Sequence, residues 1–147
     1  MPVDFYPGIG NYHLGRYPEA IPYFQQALLQ SPYQVLALHF LATSYGMLGE
    51  EKNAVQYYER ALAVSDQLEH SKINLALSYY NLGEQDKALK VLLSINDITV
   101  IENNLPIAKS ILLKSYPAAG SEKTPDINNL QGTGLLKLCA QLRTGKH

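Results

Sequence analysis

One cysteine, Cys139, stands alone among 147 residues, so no internal disulfide framework can form, and the chain fits a reducing, cytoplasmic setting. Charge of one sign is lacking too. Lys and Arg number 12 against 13 acids and lie scattered, which argues against a basic nucleic-acid binder. No stretch approaches the roughly 18 consecutive apolar residues of a membrane span. The start, Met1-Pro2-Val3-Asp4, has neither a basic region nor an apolar run, so no signal peptide is expected. Catalytic signatures are missing as well. His13, His39, His70 and His147 have no metal-ligand spacing with another His, Cys or acid, and no phosphate loop or nucleophile elbow occurs. The reading is of no catalytic residue, no metal and no cofactor. Cys139, set among leucines, reads as a small apolar core residue. With 46% apolar residues and a net charge of -1, the chain has the composition of an ordinary folded domain.

What is present is a pattern that recurs three times at a spacing of 34. Leu14-Gly15, Leu48-Gly49 and Leu82-Gly83 punctuate it. Five residues beyond each Gly comes Ala20, Ala54 or Ala88, four further on Phe24, Tyr58 or Leu92, and then Ala27, Ala61 or Ile95. A fixed period with the same residue types at each offset signals a repeat architecture. Residues 1–34 read as a damaged first copy. Asp4 is placed to cap a helix through Leu14, but Pro7, Gly8 and Gly10 predict that it is short or frayed. Tyr17-Pro18-Glu19 begins a clean second helix, which Ser31-Pro32 stops. Residues 35–68 form the most regular copy, with stripes Leu38, Leu41, Ala42, Tyr45 and then Ala54, Val55, Tyr58, Ala61. Small residues at Ala42, Ala54 and Ala61 let two helices approach closely. Residues 69–102 repeat this and degrade at Ile95 and Asp97. A single helix is expected over 103–116, capped by Asn103 or Asn104, covering the open end of the third copy. Residues 117–129 read as a linker, and 130–147 as a C-terminal amphipathic segment around Leu130, Leu135, Leu136, Leu138 and Leu142.

The order Leu-Gly, Ala, aromatic, Ala on this period resembles the tetratricopeptide repeat. The second copy supplies Leu41, Ala42, Tyr45, Gly49, Ala54, Tyr58 and Ala61, and the third Leu75, Ala76, Tyr79, Gly83, Ala88 and Leu92. The first supplies Gly8, Gly15, Ala20, Phe24, Ala27 and Pro32, with Asn11 where an aromatic is expected; Trp is missing throughout. The resemblance covers about residues 5 to 97. It implies an all-α right-handed superhelix, a solenoid of antiparallel helix pairs, here with about three repeats and a C-terminal capping helix. It also implies that the first helix of each pair lines a concave groove. Carried over, the groove positions are Tyr12, Leu36, His39, Thr43, Met47, His70, Ile73, Leu77, Tyr80 and Asn81. The family's chaperone-binding members hold a peptide carboxylate with a Lys/Asn/Arg clamp. The corresponding residues here are Phe5, Ile9, Phe40, His70 and Asn74, so the clamp is absent.

The resulting expectation is a non-catalytic protein–protein interaction module, an adaptor, scaffold or chaperone-like protein. It would dock an apolar segment of a protein or peptide partner in the groove, with no nucleic acid and no membrane involved. An apolar stripe of this kind needs a filler: a partner, a second copy, or the chain's own 130–143 segment, which a flexible linker spanning about 20 Å could return. The alternative is a self-assembling structural subunit, a homo-oligomer or a fragment of a longer array, favoured by the broken first helix.

Overall fold

A computed structural model describes residues 3–115 together with Gly134, Leu135, Lys137, Leu138 and Gln141. The expected linker, Cys139 and most of the C-terminal segment lie outside the described residues. Eight helices follow one another, and no strand occurs among the described residues. Three hairpins pair α1 (Phe5–His13) with α2 (Tyr17–Gln30), α3 (Val35–Met47) with α4 (Glu51–Val64), and α5 (Glu69–Asn81) with α6 (Gln85–Leu93). Then come α7 (Ile98–Asn103) and α8 (Leu105–Ser115). From α1 to α6 each helix packs mainly on its neighbours in sequence, and α6 then packs on α8, so the fold is an all-α solenoid of antiparallel pairs.

The Leu-Gly pairs close the first helix of each hairpin by one device. Gly15, Gly49 and Gly83 have φ of 73°, 78° and 79°, a left-handed conformation that costs other L-residues about 1–2 kcal/mol. The following amide reaches back five residues, Arg16 N to Asn11 O at 2.8 Å, Glu50 N to Tyr45 O at 2.9 Å and Glu84 N to Tyr79 O at 2.9 Å. The glycine amides donate to Tyr12, Gly46 and Tyr80. This paired pattern satisfies carbonyls that would otherwise be orphaned and turns the chain back on itself. Each second helix then begins one residue later. Ala20, Ala27, Ala54, Ala61 and Ala88 are fully buried, and across these small residues the helices close on Phe24, Tyr58 and Leu92.

Two expectations need correction. The first helix is short, as expected, nine residues against 13 in α3, but Gly8 is no breaker: it is where α2 touches the helix, and a Cβ there would lie 2.7 Å from Phe24 Cε1. Its glycine is a packing requirement. Asp4 holds the cap position but makes no side-chain cap bond; its carboxylate accepts from Gln30 Nε2 at 3.2 Å. The third repeat does not run regularly to 102. The α6 helix is 9 residues against 14 in α4, and α7 intervenes before the last helix, which starts at Leu105. Asn104 ends α7, its side-chain amide donating to Val100 O at 2.8 Å. The α8 helix packs on α6 and α5, the place a further first helix would take. Leu135 and Leu138 bury in the same core cluster as Ile111 and Leu112, with Lys137 and Gln141 exposed.

The two glycines of α1 predict opposite effects in a urea or thermal melt. Gly8→Ala overpacks against Phe24 and loses about 1–3 kcal/mol. Gly10→Ala meets nothing within 4 Å and gains about 0.5–1 kcal/mol from helix propensity.

Candidate functional site

The face lined by α1, α3 and α5 is aromatic at one end and polar at its centre. Phe40, half-buried on α3, gathers rings around it: Tyr12 at 4.9 Å between centroids, His39 at 5.3 Å, Phe24 at 6.0 Å and Phe5 at 6.2 Å. The crossed arrangements of Tyr12 and His39 on Phe40 are the geometry aromatic quadrupoles favour. Beside this cluster runs a hydrogen-bonded line joining neighbouring repeats. His39 Nδ1 bonds Ser71 Oγ at 2.7 Å, Thr43 Oγ1 donates to His39 O at 2.9 Å, and the Thr43 and Tyr58 hydroxyls meet at 2.7 Å. The Tyr58 hydroxyl also bonds Asn74, yet burial dominates and keeps that phenol well above its ordinary range. Burial, and then the charge of nearby His70, pushes the His39 imidazole below its ordinary value. These two histidines from adjacent repeats do come together, in a cleft of about 420 Å³ lined also by Leu36, Phe40, Glu69 and Asp97.

Segment 94–103 crosses the start of α5 and is fastened there. The Glu69 carboxylate accepts from the amides of Asn96 at 2.8 Å and Asp97 at 3.3 Å and pairs with Lys72 at 3.0 Å. Lys72 Nζ donates in turn to Ser94 O at 3.3 Å. Burial raises the Glu69 pKa, but the Lys72 bond and the two amides outweigh it, and the group sits below its ordinary value. Asp97 then caps α7 by accepting from Thr99 N and Oγ1, at 2.9 and 2.6 Å.

The expected groove residues are thus divided. Leu36, His39 and His70 share the cleft, and Tyr12 joins them through Phe40. Thr43 lies in the polar line. Met47, 60% exposed, and half-buried Leu77 and Tyr80 lie outside that cleft. Asn81 donates to Glu51 Oε1 at 2.9 Å, a contact between repeats. Ile73 is the misplaced residue: expected on an open face, it is 1% exposed and shares a core cluster with Val100 and Ile101 of α7, which packs on α5. Three contributors went unread in the sequence. Asp97 and Glu69 shape the cleft, and Lys114 of α8 stands 5.5 Å over the Tyr80 ring, a cation beside groove positions that carry no Lys or Arg. Asp97-Ile98-Thr99 was a legible helix start; nothing local marked Lys114. Among the described residues no group of three His, Cys, Asp or Glu is gathered closely enough to hold a metal, and no helix is long and apolar enough to cross a membrane.

Stacked helix pairs closed by left-handed glycines, with a concave face shared between neighbours, define a helical-repeat protein. Models of the tetratricopeptide repeat match residues 8–67 and 73–97, together more than half of the chain. The chain belongs to the tetratricopeptide repeat family, whose fold supports a protein–protein interaction module. No curated protein sequence matches it. Solved structures do. A crystal structure of MamA is similar with a TM-score of 0.71 at 20% identity, covering 97% of this chain and 78% of that one. The Sgt2 repeat domain from Aspergillus fumigatus gives 0.66 at 16%, covering 84% and 87%. The first such domain of Spaghetti (RPAP3), bound to the HSP90 peptide SRMEEVD, gives 0.58 at 18%, covering 97% and 94%. At these identities the likeness is one of fold.

Acid should loosen this region in two steps. His39 has a depressed pKa, so the unfolded chain takes up its proton first and stability falls as pH drops through 6.5. Glu69, also depressed, adds a second loss below its ordinary 4.5. In urea midpoints measured against pH, His39→Gln should flatten the first step and Glu69→Gln the second. At neutral pH Glu69→Gln should cost about 1 kcal/mol, modest because the carboxylate keeps some contact with water.

Proposed function

We propose that this protein is a non-catalytic adaptor that holds an apolar segment of a partner protein on the concave face, in a cytoplasmic setting. The observation that carries the reading is the pairing of Leu36 and Met47 with the face they border. They are 46% and 60% exposed on α3, next to a floor of half-buried Phe40 and Tyr12. An apolar side chain seated over Leu36 and Phe40 loses water without burying a charge, while His39, His70 and Asn74 supply donors and acceptors for a peptide backbone. The working residues in this reading are Tyr12, Leu36, His39, Thr43, Met47, His70, Leu77 and Tyr80, with Phe40 added, Ile73 removed as core and Asn81 removed as a contact between repeats.

An acidic ligand fits less well. The peptide on the Spaghetti domain ends in Glu-Glu-Val-Asp. The clamp positions of this chain carry no Lys or Arg: Phe5 is core, Ile9 and Phe40 are half-buried, and the remaining two are His70 and Asn74. Lys114 is engaged over Tyr80.

The test is affinity capture with mass spectrometry, then calorimetry with the captured segment, comparing the native chain with Leu36→Asp, Met47→Asp. Both sites are exposed enough that the variant should keep its melting temperature within a few degrees. The expected result is a partner whose apolar segment binds at least about 10-fold more weakly to the folded variant, the effect of losing one buried aliphatic contact. Equal binding by both chains would remove the concave face from the function.

A further inference from the structure

Another cleft, of about 420 Å³, lies where the connection from α2 to α3 meets the end of α4. Pro32, Tyr33, Leu38, Arg60, Ala63 and Val64 line it, and it shares no residue with the cleft of the concave face. Tyr33 is 78% exposed and Val64 43%, so much of the lining stands in water. The fold does not require apolar residues here. Advancing by the repeat length turns Pro32, Tyr33, Leu38 and Ala63 into Asp66, Gln67, Lys72 and Asp97. At that next boundary the polar groups answer one another. Lys72 pairs with Glu69 and donates to Ser94 O, and Asp97 caps α7. The boundary between the first two repeats instead keeps an apolar trough.

One charge stands at this trough, and it is held in place. Arg60 lies 5.2 Å from the centre of the Tyr57 ring, which stacks on Tyr45 with 5.7 Å between centroids and 10° between planes. The Tyr45 hydroxyl accepts in turn from Gln25 Nε2 at 3.1 Å. The guanidinium is thus fixed by a ladder of contacts across α2, α3 and α4. Unlike an ammonium, a guanidinium can give its face to a ring and its in-plane donors to an anion at once. Among the described residues Arg60 has no carboxylate partner, and the neighbouring acid, Glu59, accepts from the Tyr79 hydroxyl. The start of α3 and the end of α4 both border the trough, so their opposed terminal dipoles offset each other and Arg60 sets the local sign.

We propose that this trough is a second docking site, for a segment of a partner protein in which a bulky apolar side chain stands next to Asp or Glu. The apolar side chain lies against Tyr33 and Val64 and loses water there, and the carboxylate beside it takes paired N–H donors from Arg60. The occupant is not the chain's own C-terminal segment, whose Leu135 and Leu138 are buried with Ile111 and Leu112 of α8. The site is separate from the concave groove and stands or falls independently of it.

Selection of a random octapeptide library on phage against the full chain tests this, followed by fluorescence polarisation with the enriched peptides. The expected result is a set of peptides carrying Leu, Ile, Phe or Trp beside Asp or Glu. Their binding should fall at least about tenfold on Arg60→Gln, and likewise on Tyr33→Ser. Both residues are exposed, so the variants should melt within a few degrees of the native chain by circular dichroism. Replacing the peptide's acid by Asn or Gln should cost the native chain the same factor and cost the Arg60→Gln variant nothing further. That comparison keeps the test sound should Tyr33→Ser unfold. Leu36→Asp in the groove should leave the binding unaltered. The proposal is overturned if no such class of peptide is enriched, if the peptides bind Arg60→Gln as tightly as the native chain, or if Leu36→Asp abolishes binding. A mass that rises with concentration for the native chain and not for Arg60→Gln would also overturn it, and would put a second copy on this face.

Discussion

A helix hairpin of this size cannot bury its own apolar surface. The first helix of each pair is apolar on two sides, one toward its own partner helix and one toward the hairpin before it. The second side is covered only by another repeat. Ala37 and Leu41 are inaccessible because α2 and α4 flank α3, and Leu75 because α4 and α6 flank α5. Stability is thus passed from neighbour to neighbour. Interruptions acquire local meaning: the shortened α6 packs on α8 in place of a regular neighbour.

The same dependence shapes the concave face. The side chains that look outward from one repeat are held by the next. His39 is oriented by Ser71, the Tyr58 hydroxyl by Thr43 and Asn74, and Asn81 is engaged by Glu51. A ligand on this surface would meet side chains whose positions are already fixed across the repeat boundary, which lowers the entropy lost on binding. The most heavily fastened part is the edge where Glu69, Lys72 and the amides of residues 96 and 97 converge. Charge-assisted bonds are the stronger kind, and here they hold an irregular segment that has little apolar surface to hold it otherwise.

The periodic part was legible in the residues alone. Gly15, Gly49 and Gly83 are required by a left-handed backbone, Ala20, Ala54 and Ala88 by close helix approach, and such requirements follow from residue type and spacing. Hence the helices, the hairpins and the repeat family could be read before any coordinates. The concave candidates were legible as positions on a helix face. Their exposure was not, because exposure depends on what else folds over them.

Ile73 shows the limit. Its spacing places it with Leu77 on one face of α5, but α7, an element outside the repeat, packs onto that helix and takes Ile73 into the core. Gly8 shows it from the other side: in sequence it reads as a helix breaker, and only the nearness of Phe24 makes it a packing residue. Lys114 reaches Tyr80 across 34 residues of chain, with no local signal for the meeting. The sequence by itself determined the repeat, its turns and its hairpins, since these rest on local backbone geometry and a fixed spacing. The tertiary structure decided which faces stay open, since burial belongs to pairs of distant segments.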